Sequence, residues 1–155
     1  MEKLSKKQIT SIVITLIGII VVAVLGSIFV NLGMEWFDLL RKPSQWIPNI
    51  AIPIVWSVIY LTFAVILFLW QTKKPINKKV VGLLIVNGIF NVLWCLVFFT
   101  LHQTFLGLIV IVLNLILANI LVFNIVKEKY ALILFIYPVW ISLATCLNLA
   151  LWILN

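Results

Sequence analysis

The side chains in this sequence that are equipped to recognise a ligand are rings and amides rather than charges. Trp56, Tyr60, Phe63 and Trp70 follow one another at offsets of four, seven and fourteen residues, which places all four on one face of a helix. Asn87, Asn91, Trp94 and Phe98 form a second stripe, and Trp140, Ala144 and Asn148 a third. Rings stacked at such spacing suit a flat apolar ligand, whose polar edge amides could meet by hydrogen bonding. The same stripes also serve as core, with the asparagines bonding between helices, and the sequence leaves both roles open. Other chemistries are poorly provided for. No paired carboxylates, nucleophile triad or phosphate-cradling glycine loop occurs, so no catalytic residues are assigned. Cys95 and Cys146 lie deep in separate apolar runs without metal-ligand spacing, and His102 is the sole histidine, which gives no metal site and no expected disulfide.

These stripes must be carried by elements of a membrane protein. The 155 residues are 65% hydrophobic and 10% charged, whereas soluble domains hold about 45–50% apolar and about 25% charged residues. The charges fall in the first eight residues and in short breaks, leaving five apolar runs long enough to cross about 30 Å of hydrocarbon. The expected fold is therefore an all-α bundle of five transmembrane helices forming one domain over residues 1–155. Its spans are 9–32, 47–71, 80–101, 105–126 and 130–154. The first run exceeds the usual length of a signal-peptide core and no A-x-A site follows it, so it is kept as a span.

A net charge of +7 raises nucleic acid as a partner, but the cations cluster at helix ends, where they orient the chain, and nucleic-acid binding is rejected. Lys3, Lys6, Lys7, Lys73, Lys74, Lys78, Lys79, Lys127 and Lys129 share one side of a five-span topology, against Arg41 and Lys42 on the other. The N-terminus is expected in the cytoplasm and the C-terminus outside. The excess of Lys over Arg points to a bacterial plasma membrane. Ion-coupled transport is discounted, because no charged side chain lies within a span and five spans do not divide into paired repeats.

Between the spans, loop one (33–46) reads as a short helical piece with Glu35 and Asp38 near its start and Arg41 and Lys42 near its end. It is expected to act as an interfacial anchor through Trp36, as a lid over the bundle, or as both. Pro53 is expected to kink or loosen the start of the second span and so to favour a pocket near that end. The first span, with Gly18 and Gly26, is expected only to pack, and the fourth, with Asn114, Asn119 and Asn124, to be structural.

On these residues the chain resembles the TspO/MBR family, the tryptophan-rich sensory or translocator proteins, also called peripheral-type benzodiazepine receptors. The family's loop-one pattern K-P-x-W-x-P-P is met by Lys42, Pro43, Trp46 and Pro48, followed by Trp56 and Tyr60. Its third-helix pattern is met by Asn91, Trp94, Phe98 and Phe99, and its fifth-helix pattern by Tyr137, Trp140, Ala144, Thr145, Leu147 and Asn148. Departures are one extra residue before Trp46, Asn49 in place of the second proline, and Val110 where many relatives carry an acid. The C-terminal LNLALWILN lacks the proposed cholesterol motif.

The resemblance implies a porphyrin such as protoporphyrin IX as ligand, with drug-like molecules in some members, no required cofactor, and a possible homodimer. It implies a pocket formed by Trp36, Trp46, Trp56, Tyr60, Asn91, Trp94, Phe98, Tyr137, Trp140 and Ala144, with Trp56 and Trp140 flanking the tetrapyrrole. Arg41 or Lys42 is expected to meet the ligand's propionates. The rival expectations are light-dependent porphyrin breakdown, in which Trp56 and Trp140 would take part in redox steps, and a structural or partner-binding bundle whose rings are only core.

Overall fold

The computed structural model describes residues 4–44, 47–126 and 129–155. It is helical throughout, without a strand among the described residues, and five helices are long and apolar enough to cross a membrane. In chain order the elements are α1 (Lys6–Leu32), α2 (Met34–Leu39), α3 (Ala51–Lys73), α4 (Lys78–Cys95) continued by a π-helical turn (Leu96–Thr100), α5 (Thr104–Ile125), a 3-10 stretch (Lys129–Phe135) and α6 (Ile136–Leu154).

Sharp local signals set the helix starts. Ser5 caps α1 in a reciprocal pair with Gln8, its side chain accepting from the Gln8 amide at 3.3 Å while the Gln8 side chain accepts from the Ser5 amide at 3.0 Å. Asn77 caps α4 through the amide of Val80 at 2.9 Å. Pro53 behaves differently from the sequence expectation. Helix α3 begins at Ala51, so Pro53 occupies its third position, where no amide is needed for the helical ladder, and it neither kinks nor loosens the helix. Pro138 likewise stands third in α6, directly after the 3-10 stretch. The proline therefore marks a change of helix type rather than a break within an α-helix.

Packing is uneven. Helices α4, α5 and α6 share a dense core that contains Ile111, Ala118, Leu121, Ile141 and Leu151, whereas α1 buries only Ile12 and Gly26. Helix α1 is fastened mainly near its ends. At one end a polar cluster joins it to α3: Ser11 donates to Gln71 Oε1 at 2.5 Å, Gln71 Nε2 donates to Thr15 Oγ1 at 3.3 Å, and Gln8 Nε2 donates to the Gln71 carbonyl at 3.2 Å. At the other end Thr100 donates to the Phe29 carbonyl at 2.8 Å, and Gly33 lies against the backbone of Phe99. Between these fastenings α1 touches α4 where Val22 meets Gly88, leaving room beside that contact.

Loop one is docked on the bundle. Phe37 is buried against Phe98 and Phe99, and Trp36 stacks on His102 at 4.5 Å and meets Phe98 edge-on at 5.6 Å. His102 makes the α4–α5 turn with a φ of 57°, a left-handed conformation that histidine tolerates better than most residues. The loop's end is tied to the chain terminus: Arg41 donates its amide to Asn155 Oδ1 at 2.9 Å and accepts from Asn155 Nδ2 at 3.1 Å.

Candidate functional site

A cavity of about 580 Å³ lies among α1, α3 and α4, with Tyr137 of α6 closing its back. Helix α1 contributes Ile14, Thr15, Gly18, Val21, Val22 and Leu25 among others; α3 contributes Trp56, Ile59, Tyr60, Phe63 and Leu67; α4 contributes residues from Val81 to Leu93, including Asn87, Gly88 and Asn91, and the π-helical turn adds Leu96. No charged side chain lines it. Several wall residues, among them Val21, Ile85 and Ile89, also have faces exposed on the outside of the bundle, so the cavity opens sideways between α1 and α4.

Its ring wall follows from the period of α3. Trp56 stacks on Tyr60 with centroids 5.6 Å apart and meets Tyr137 edge-on at 6.2 Å, and Phe63 meets Tyr137 at 5.4 Å. Edge-to-face and offset pairs of this kind fix ring planes while leaving the half-buried Trp56 face free to receive another ring. The amide wall is equally determined. Tyr137 donates to Asn87 Oδ1 at 3.1 Å, Asn87 Nδ2 donates to Asn114 Oδ1 at 2.8 Å, and Asn114 Nδ2 reaches the Tyr137 oxygen at 3.5 Å. This closed ring joins α4, α5 and α6. Tyr60 donates to Asn91 Oδ1 at 3.4 Å, and the buried Asn91 side chain also bonds Tyr137, so it ties the two tyrosines together on the cavity wall.

Of the ten residues expected at the site, the structure brings Trp56, Tyr60, Asn91 and Tyr137 together on the cavity wall. Trp94 and Phe98 stack on each other at 5.9 Å behind it, and Trp94 Nε1 donates to Asn148 Oδ1 at 3.1 Å, an inter-helix bond. Trp94 stands in the regular part of α4, before the π-helical turn that begins at Leu96, and the stripe from Asn87 to Phe98 divides between cavity and core because Trp94 meets Asn148 of α6. Trp36 belongs to the loop-one cluster. Trp140 is buried beside that core with its indole nitrogen unpartnered among the described residues, and Ala144 packs against the same core, both outside the cavity. Trp46 lies outside the described residues.

The sequence expectation also missed parts of the wall. Helix α1, read as packing only, supplies one side of the cavity, for which the small Gly18 within an isoleucine-rich run was the available signal. Gln71 is almost completely buried, and its position four residues after Leu67, in register with the core face, could have flagged it.

The Asn87–Asn114–Tyr137 ring carries a direct consequence. Replacing Asn114 by Leu leaves the Asn87 amide and the Tyr137 hydroxyl short of a partner and should lower stability by about 1–2 kcal/mol. Reversible unfolding in mixed micelles reads this effect. An unchanged transition would mean that the ring does not hold the three helices together.

Comparison with known proteins agrees with this architecture over almost the whole chain. The model of the TspO/MBR family matches residues 12–153. Protein CrtK of Rhodobacter capsulatus is 32% identical over 125 residues, covering 77% of this chain and 78% of its own length. The Tryptophan-rich protein TspO of Archaeoglobus fulgidus is 25% identical over 151 residues, covering 96% of this chain and 99% of its own. That of Chlorobaculum tepidum is 30% identical over 156 residues, covering 96% and 98%.

Proposed function

From the premise that this chain belongs to the TspO/MBR family and is a multi-pass membrane protein, we propose that it is a sensor-type protein binding porphyrins and related flat apolar ligands. The observation that carries this reading is the uncharged cavity of about 580 Å³ with Trp56, Tyr60, Asn91 and Tyr137 on its wall. A tetrapyrrole ring inserted beside Trp56 gains stacking and apolar burial. The sideways opening between α1 and α4 gives a lipid-dissolved ligand access without passage through loop one. The lysine-rich side of the bundle is taken as cytoplasmic.

The test blocks the cavity without disturbing the fold. Gly18 lines the cavity, and a Cβ added there meets nothing within 4 Å. Gly18→Phe should therefore fold normally and occupy ligand space. With protoporphyrin IX titrated in the dark, the wild type should show saturable quenching of indole fluorescence and Gly18→Phe should lose most of it, the thermal transition of the free protein being retained. Equal binding by both would place the ligand elsewhere.

A further inference from the structure

The cavity is walled by spanning helices and opens between two of them, so the medium at its opening is lipid tail rather than water. Its lining runs from Ile14 to Leu25 on α1 and from Trp56 to Leu67 on α3, each about 16 Å of helix rise. One leaflet of hydrocarbon is about 15 Å deep, half of a core of about 30 Å. The cavity is therefore about as long as one lipid tail.

Helices α1 and α4 run parallel and touch where Val22 meets Gly88. About one turn before that contact, Gly18 of α1 and Ile85 of α4 both line the cavity and are exposed, and a Cβ added at Gly18 meets nothing within 4 Å. Ile14 and Val81, a further turn back, also line the cavity and are exposed. Val81 stands about one turn from Lys78 at the start of α4, which puts this opening in the lysine-rich half of the bundle.

The wall suits a tail. No charged side chain lines it, and its polar groups are bonded within the protein. Thr15 donates to the Ser11 carbonyl at 2.9 Å and accepts from Gln71, Tyr60 donates to Asn91, and Asn87 and Tyr137 belong to the ring with Asn114. An unfilled space would leave Ile59, Phe63 and Leu67 without partner atoms on one side, whereas a tail restores dispersion contacts and carries no polar group with it.

We infer that the cavity is also the binding site of one acyl chain, belonging to a bilayer lipid of the lysine-side leaflet. The chain enters between Gly18 and Ile85 and runs along Phe63 toward Trp56, and a porphyrin binds by displacing it. This inference needs the cavity but not the porphyrin.

The test uses the whole chain in nanodiscs of phosphatidylcholine whose tails carry bromine, a heavy atom that quenches an indole on contact. The emission of Trp56 is the difference between a protein and its Trp56→Phe variant, measured in brominated and in plain lipid. In the wild type most of this emission should be lost in brominated lipid. In the Gly18→Phe background, where the opening is filled, it should be retained. Unquenched Trp56 in the wild type would overturn the acyl site. So would equal quenching in both backgrounds, because the bromine would then act from outside the bundle. Quenching that Gly18→Phe relieves, in a protein without saturable protoporphyrin IX binding, would uphold the acyl site and remove the porphyrin reading instead.

Discussion

Truncating Trp56 to Ala should weaken protoporphyrin IX binding by about thirtyfold, close to 2 kcal/mol, the scale of a buried indole anchor in a recognition site. The ring is half-buried on the cavity wall, and its plane is fixed by Tyr60 and Tyr137 at centroid distances of 5.6 and 6.2 Å. It is thus preorganised to stack, and its loss removes both area and orientation. Trp140→Ala is the instructive contrast. That indole is buried in the core outside the cavity, so its truncation should lower the unfolding transition, by about 3 kcal/mol, more than it lowers affinity measured on the folded fraction. Fluorescence titration beside thermal unfolding of the two variants separates the effects. If Trp140→Ala lost affinity at unchanged stability while Trp56→Ala bound normally, the ligand would have to sit on the α6 side of the bundle.

Gly33→Val should be the most damaging single change outside the core, costing about 3 kcal/mol or more. Gly33 ends α1 and leads into α2, and a Cβ there would overlap the backbone of Phe99 in the π-helical turn. Backbone on both sides of the contact prevents a rotamer from relieving it, so α1 and the turn must separate. Separation would also pull Phe37 from its place against Phe98 and Phe99 and strain the Thr100–Phe29 bond. A lowered thermal transition, with faster proteolysis in loop one, is the expected outcome. Wild-type stability in Gly33→Val would show that loop one is not held by this contact.

Much of the architecture could be read from residue order because the bilayer constrains it so strongly. An apolar run of sufficient length has few alternatives to a spanning helix, and the polar break at His102–Gln103 could only be a turn. The stripe on α3 was equally legible, since a single helix with one period places Trp56, Tyr60 and Phe63 together wherever it packs. Relations between helices were not legible. Whether Trp94 faces a cavity or Asn148 depends on how α4 packs against α6, which the period of a single helix does not carry, and nothing in the local sequence LVFFT announces the π-helical turn that begins at Leu96. The wall made by α1 was hidden for a related reason: its apolar residues surround the helix on all sides, so its pattern does not distinguish a lipid face from a cavity face. Pro53 was misjudged because the helix starts at Ala51, and a shift of a few residues in a helix start decides whether a proline breaks a ladder or begins one.

The central claim is that the space beside Trp56 is a ligand site. It is tested most directly by titrating protoporphyrin IX in the dark into the wild-type protein in nanodiscs, following indole fluorescence and thermal unfolding together. The expected result is saturable quenching at one ligand per chain, with a thermal transition that climbs with ligand concentration, by about 2.7 kcal/mol of added stability at a hundredfold excess over Kd. Quenching that rises linearly without saturation, together with an unmoved thermal transition, would contradict it and leave the rings of α3 as core alone.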